Sequence, residues 1–154
     1  MNCLRCLLAN FLVSLLLGNP SNPSLVKFDR EKVKIQWINH QRLSLNLSFR
    51  VSDGFHIQSN EPTSSNLIAS QVSLELRDGM EIRKKQFLVA TYKQLTLGGE
   101  TLSLIEGNFR VKVLIVFKQA PPPILKGKLS YQACSQKHCL MPRELAFVLR
   151  MQKD

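Results

Sequence analysis

A chain of 154 residues with 44% hydrophobic and 21% charged side chains is long enough to bury one core and too apolar to stay disordered. Its formal net charge of +10 is compatible with an acidic partner or an anionic surface. The basic residues are scattered, however, many at alternate positions such as Arg110 and Lys112, which describes a solvated sheet face and not a nucleic-acid groove with clustered cations and stacking rings.

The chain opens on Arg5, an apolar stretch from Leu7 to Leu17, and then Gly18-Asn19-Pro20-Ser21. A short basic start, an apolar run too short for a bilayer and a polar, proline-containing exit predict a secretory signal over residues 1–19, cut near Gly18. Cys3 and Cys6 would leave with it. The remaining domain is expected over residues 25–151, outside the cytosol, with Cys134 and Cys139 as its cysteines. In that setting disulfides form and persist.

Strand signals follow in order. Val33–Trp37 is weak. Leu43, Leu45, Leu47, Phe49 and Val51 alternate with Ser44, Asn46, Ser48 and Arg50, the period-two pattern of a strand with one buried face. Weaker runs cover 72–76, 87–91 and 95–104, the last broken by Gly98-Gly99. Phe109, Val111, Val113, Ile115 and Phe117 repeat the alternation, and Leu114 and Val116 make that strand apolar on both faces, as a central strand is. Leu129, Tyr131 and Ala133 lead into the cysteines, and Leu145, Phe147, Leu149 and Met151 mark a last strand. Turns are signalled at Ser52-Asp53-Gly54, Ser59-Asn60-Glu61-Pro62, Arg77-Asp78-Gly79 and Glu106-Gly107-Asn108. Pro121–Pro123 is a stiff extended connector. No segment carries a helical period, and Thr63–Ser70 holds one loose turn at most. Seven to nine short strands with regular turns predict an all-β antiparallel sandwich.

The pair in Cys134-Ser135-Gln136-Lys137-His138-Cys139 is the place where covalent chemistry is available. Three readings stand side by side. As a staple, closing a ring of six residues contributes only ~2.2 kcal/mol of chain entropy, less than a long loop would. As a metal half-site, Cys134, His138 and Cys139 would supply ligands, with Met141 as a soft fourth, but neighbours on an extended strand point to opposite faces, and no second paired motif exists in the mature region. As a redox couple, the pair needs an accessible thiolate and a nearby resolving thiol, with Lys137 and His138 able to lower a thiolate's pKa. Tyr131 and Phe55 read first as core rings, and second as a dry wall around the thiolates. Trp37 reads as core, His56 as incidental and Pro142 as a rigid turn. Paired carboxylates, a Ser/His/Asp set and a phosphate-cradling glycine loop are not found.

Tyr131-Gln132-Ala133-Cys134 followed by Cys139-Leu140-Met141-Pro142 resembles the N-terminal periplasmic domain of the thiol:disulfide interchange protein DsbD. Asp53-Gly54-Phe55-His56-Ile57 with Ser59, Asn60 and Pro62 resembles a second segment of that family, and the order of the segments matches over roughly Leu25 to Met151. The resemblance implies an immunoglobulin-like sandwich in which Cys134 and Cys139 alternate between dithiol and disulfide; no bound cofactor and no metal are expected, because the cysteines themselves carry the electrons. It implies electrons arriving from a membrane-embedded donor protein and leaving to periplasmic thioredoxin-like proteins, including ones that serve cytochrome c maturation. The domain is expected to be a monomer. The family's acidic–aromatic cap loop has its nearest counterpart in the basic Lys84-Lys85-Gln86-Phe87-Leu88, which makes Phe87 a candidate shield. The competing reading from another class is an envelope binding module that docks through its basic face and keeps the disulfide as structure.

Overall fold

The computed structural model describes residues 24–90 and 92–151. The expected signal over 1–19, with Cys3 and Cys6, lies outside the described residues. In chain order the strands are β1 (Val26–Phe28), β2 (Lys34–Asn39), β3 (Arg42–Val51), β4 (His56–Gln58), β5 (Gln71–Leu74), β6 (Met80–Leu88), β7 (Lys93–Leu97), β8 (Glu100–Ile105), β9 (Asn108–Phe117), β10 (Ile124–Tyr131), β11 (Ala133–Cys134) and β12 (Arg143–Arg150). A single 3-10 turn, Arg30–Lys32, joins β1 to β2. Among the described residues no helix is long and apolar enough to cross a membrane.

The first sheet runs β1-β3-β9-β6, all antiparallel, with β2 sharing the β1 edge of β3. β9 is central, hydrogen-bonded on both sides, as its two apolar faces require. Its inward residues Phe109, Val111, Val113, Ile115 and Phe117 alternate with Arg110 and Lys112 in solvent, and in β3 the buried apolar residues from Leu43 to Val51 alternate with polar ones, of which Ser44 and Ser48 are buried too. The second sheet, β12-β10-β5, adds Val72, Leu125, Leu129, Phe147 and Leu149 to the same core. The two sheets meet at Phe49, whose ring stands edge-on to Phe147 at 5.8 Å and stacks on Phe109 at 5.3 Å. Burying side chains of this size contributes about 1.5–3 kcal/mol each, which is how two half-apolar sheets hold together. Gly127 lies opposite Phe147 in register, and a Cβ there would come within 2.6 Å of the Phe147 ring, so glycine makes room for the ring. Trp37 is partly buried and packs on Phe117 at 5.6 Å, as its core assignment expects.

The architecture is the all-β antiparallel sandwich of the sequence reading, but twelve strands are present among the described residues instead of seven to nine. β1, β4 and β11 have two or three residues each, too few to display a period. The run 95–104 is a hairpin, β7–β8, because Gly98 and Gly99 both take positive φ, 61° and 83°, the geometry of a tight two-residue turn. Of the run expected over 87–91, Phe87 and Leu88 end a strand that begins at Met80, Val89 and Ala90 lie beyond it and Thr91 is outside the described residues; a bulge between Ile82 and Lys84 shifts the alternation and hides the strand's first half from a period count. Thr63–Ser70 contains only bends and turns.

A third sheet, β11-β4-β8-β7, carries the cysteines. Ile57, Ile105 and Ala133 point to the main core. The alternate residues His56, Gln58, Cys134, Leu102 and Leu104 are also buried, but outside that cluster. Polar groups and a cysteine are thereby enclosed together on one face.

Candidate redox site

β10 and β12 pair as far as Tyr131 and Arg143, and segment 132–142 leaves that ladder. Ala133 and Cys134 cross to the third sheet and pair with Ile57 and His56. The chain then turns back on itself, and Cys139 forms an antiparallel bridge with Cys134. The turn is held by local polar groups. The Ser135 amide donates to the His138 carbonyl at 2.9 Å, and Ser135 Oγ accepts the amides of Lys137 and His138 at 3.2 and 3.3 Å. Below the bridge the Leu140 amide donates to the Ala133 carbonyl at 2.8 Å, and Gln132 Nε2 donates to the Leu140 carbonyl at 3.1 Å.

This register places the two cysteines face to face with 3.9 Å between Cα atoms, joined by a disulfide of 2.07 Å. The two sulfurs differ in environment. Cys134 is fully buried, whereas Cys139 is half-buried at the rim. Lys137 and His138 are exposed on the turn, and Met141 just beyond it is 81% exposed. In this form neither sulfur is the thiolate that a metal ligand must be.

The structure distributes the other candidate residues unevenly. Tyr131 is buried in the core at the end of β10, and Phe55 packs half-buried against the core just before β4. Phe87 lies on β6 of the first sheet, its ring stacked on Phe109 at 6.1 Å. There it is partly buried against the core, on a different sheet from Cys134.

Two residues that the sequence reading set aside or passed over stand next to the disulfide. His56 is directly opposite Cys134 in register and 2% exposed. Its Nε2 is buried without a partner. Burial, and then the Lys93 ammonium, push this histidine below its ordinary pKa near 6.5. Glu106 and the Ser135 backbone pull the other way more weakly. Lys93 and Glu106 are themselves paired at 2.9 Å. Gln58 is fully buried and its Nε2 lies 3.9 Å from Cys134 Sγ, while its Oε1 has no partner. Its backbone is clamped: the amide donates to the Gln132 carbonyl at 3.1 Å, and the carbonyl accepts from Ser70 Oγ at 2.5 Å. A polar residue alternating with Ile57 was the one sequence signal available, and only the β4–β11 pairing gives it meaning.

No family model matches the chain, and no curated protein matches it. Solved structures do. The N-terminal periplasmic domain of ScsB from Proteus mirabilis is similar with a TM-score of 0.61 at 10% identity, over 85% of this chain and 48% of that one, so this chain spans about half of the ScsB domain's length. The N-terminal domain of DsbD from Neisseria meningitidis, in the reduced form, has a TM-score of 0.48 at 15% identity, over 77% of this chain and 83% of that one. The GAE domain of GGA2p from Saccharomyces cerevisiae has a TM-score of 0.47 at 14% identity, over 82% and 91%. At such identities the likeness is one of fold, and this chain's antiparallel β-sandwich is the fold it shares with the ScsB domain.

Proposed function

We propose that this protein is an exported thiol–disulfide interchange module that passes reducing equivalents through Cys134 and Cys139 to thioredoxin-like proteins of the periplasm. The observation that carries the reading is the asymmetry of the disulfide, one cysteine partly exposed beside a cationic turn and the other fully buried beside hydrogen-bonding groups. A pure staple has no use for that difference. The motif around the cysteines and the fold shared with a periplasmic domain support the same reading.

Cys139 is the exchanging residue. A partner thiolate attacks Cys139 Sγ, the intramolecular S–S bond breaks, and its electron pair goes to Cys134 Sγ as a thiolate. The partner's second thiolate then attacks the partner sulfur of the mixed disulfide and releases Cys139. The partner leaves oxidised, and the domain holds two thiolates that take up two protons from solvent. Discharge runs in reverse: the Cys139 thiolate attacks an oxidised thioredoxin-like protein and Cys134 resolves the mixed disulfide. The donor in this scheme is a membrane-embedded electron carrier.

The test is a redox titration of the purified domain against glutathione buffers, with Cys134→Ala as a trap. A working couple equilibrates at a potential above about −300 mV, and Cys134→Ala accumulates a Cys139-linked mixed disulfide with a periplasmic thioredoxin-like protein. A disulfide that stays closed at every glutathione ratio, with no mixed disulfide in the trap, leaves a structural bridge and refutes the exchange function.

A further inference from the structure

The groups around Cys134 raise a question that the exchange scheme does not answer. Buried side-chain oxygens nearly always find a partner, yet Gln58 Oε1 has none although the residue is 0% exposed. The same carboxamide presents Nε2 to Cys134 Sγ at 3.9 Å. Its backbone is held on both sides by the Gln132 carbonyl and Ser70 Oγ, which fixes the point from which the side chain reaches the sulfur. What it can do is turn about its last bond, which exchanges an NH2 donor for a carbonyl acceptor at nearly the same place.

That exchange matches what redox chemistry does to the sulfur. A disulfide sulfur or a thiolate only accepts hydrogen bonds, whereas a thiol also donates one. We propose that Gln58 is the hydrogen-bond partner that follows the redox state of Cys134, with Nε2–H donating to Sγ in the disulfide and the thiolate, and Oε1 accepting the S–H of the thiol. The inference rests on the exchange function above and assigns it a further residue, one that touches a reacting atom.

Two consequences follow. When the attack on Cys139 expels Cys134 as a buried thiolate, the Gln58 amide is the polar group within reach of its charge, so the leaving group is stabilised where water is absent. When that thiolate takes its proton, the unpartnered Oε1 gains a bond that it lacks in the disulfide form. Reduction therefore satisfies a group that oxidation leaves unsatisfied, and the couple becomes more oxidising. His56, opposite Cys134 in register, has a second buried polar atom without a partner in Nε2.

The experiment compares Gln58→Met, which keeps length and removes both hydrogen-bonding atoms, with the parent protein. In a Cys139→Ser background the far-ultraviolet thiolate absorbance reports Cys134, and Gln58→Met should lower the thiolate fraction at a fixed pH on the order of tenfold. In the two-cysteine protein the glutathione equilibrium should move roughly fivefold toward the disulfide. A folded Gln58→Met protein with unchanged thiolate fraction and unchanged glutathione equilibrium overturns the proposal. If that variant does not fold, the side-chain amide resonances of Gln58 in the unaltered protein decide: they should move between the oxidised and reduced forms, and identical resonances overturn it. A parent protein that no glutathione ratio reduces refutes the exchange function itself, a result distinct from exchange that proceeds without Gln58.

Discussion

Single-cysteine variants turn the burial difference at the disulfide into a rate. Cys134→Ser leaves Cys139 alone at the rim, and Cys139→Ser leaves Cys134 alone, fully buried under the hairpin. A reagent reaches Cys134 only after the hairpin opens. Opening breaks the Leu140–Ala133 and Ser135–His138 backbone hydrogen bonds, at 2.8 and 2.9 Å. At about 1 kcal/mol net for each bond, the open form costs about 2 kcal/mol and is populated about 30-fold less than the closed one. Iodoacetamide alkylation followed by mass spectrometry, corrected for the thiolate fraction of each protein, should therefore modify Cys139 about 30-fold faster than Cys134. Equal rates, or a faster Cys134, would refute the argument that burial selects Cys139 as the exchanging residue.

Two further outcomes follow from packing and charge. Gly127→Ala would place a methyl group 2.6 Å from Phe147 Cζ and 2.8 Å from Leu74 Cδ2, so urea unfolding should show a loss of about 1–3 kcal/mol from overpacking; an unchanged midpoint would mean the ring relaxes freely. His56 is held neutral in the folded protein, whereas the unfolded chain protonates it near pH 6.5. The unfolded state thus binds more protons in the window between the depressed folded value and pH 6.5. Stability contributed by this residue is complete above pH 6.5 and is lost as pH falls through that window. Urea midpoints at pH 7.5 and in the acid range should fall less for His56→Gln than for the parent, and parallel curves would show that His56 does not titrate differently on folding.

Reading the sequence went furthest where a single strand carries its own evidence. Leu43–Val51 and Phe109–Phe117 each alternate over a full strand, and the apolar Leu114 and Val116 correctly place β9 inside the sheet. Elements without that evidence were missed or misplaced. The three-residue β4 is too short for a pattern, and the bulge after Ile82 interrupts the alternation of β6. Phe87, the expected shield, is placed by strand pairing on β6, where its ring stacks on Phe109.

The composition and periodicity of this chain determined that it is an all-β sandwich, because alternation is a local property that any one strand displays by itself. They also located its reactive chemistry in one short segment, because two cysteines five positions apart can meet whatever the rest of the fold does. Only the tertiary structure decided that Cys134 is sealed and Cys139 is not, and that His56 and Gln58 stand beside the sulfur. Those facts come from the pairing of β4 with β11, which brings Gln58 to Cys134 across 76 positions of chain, and such register is set by the packing of whole sheets, which no neighbouring stretch of sequence encodes.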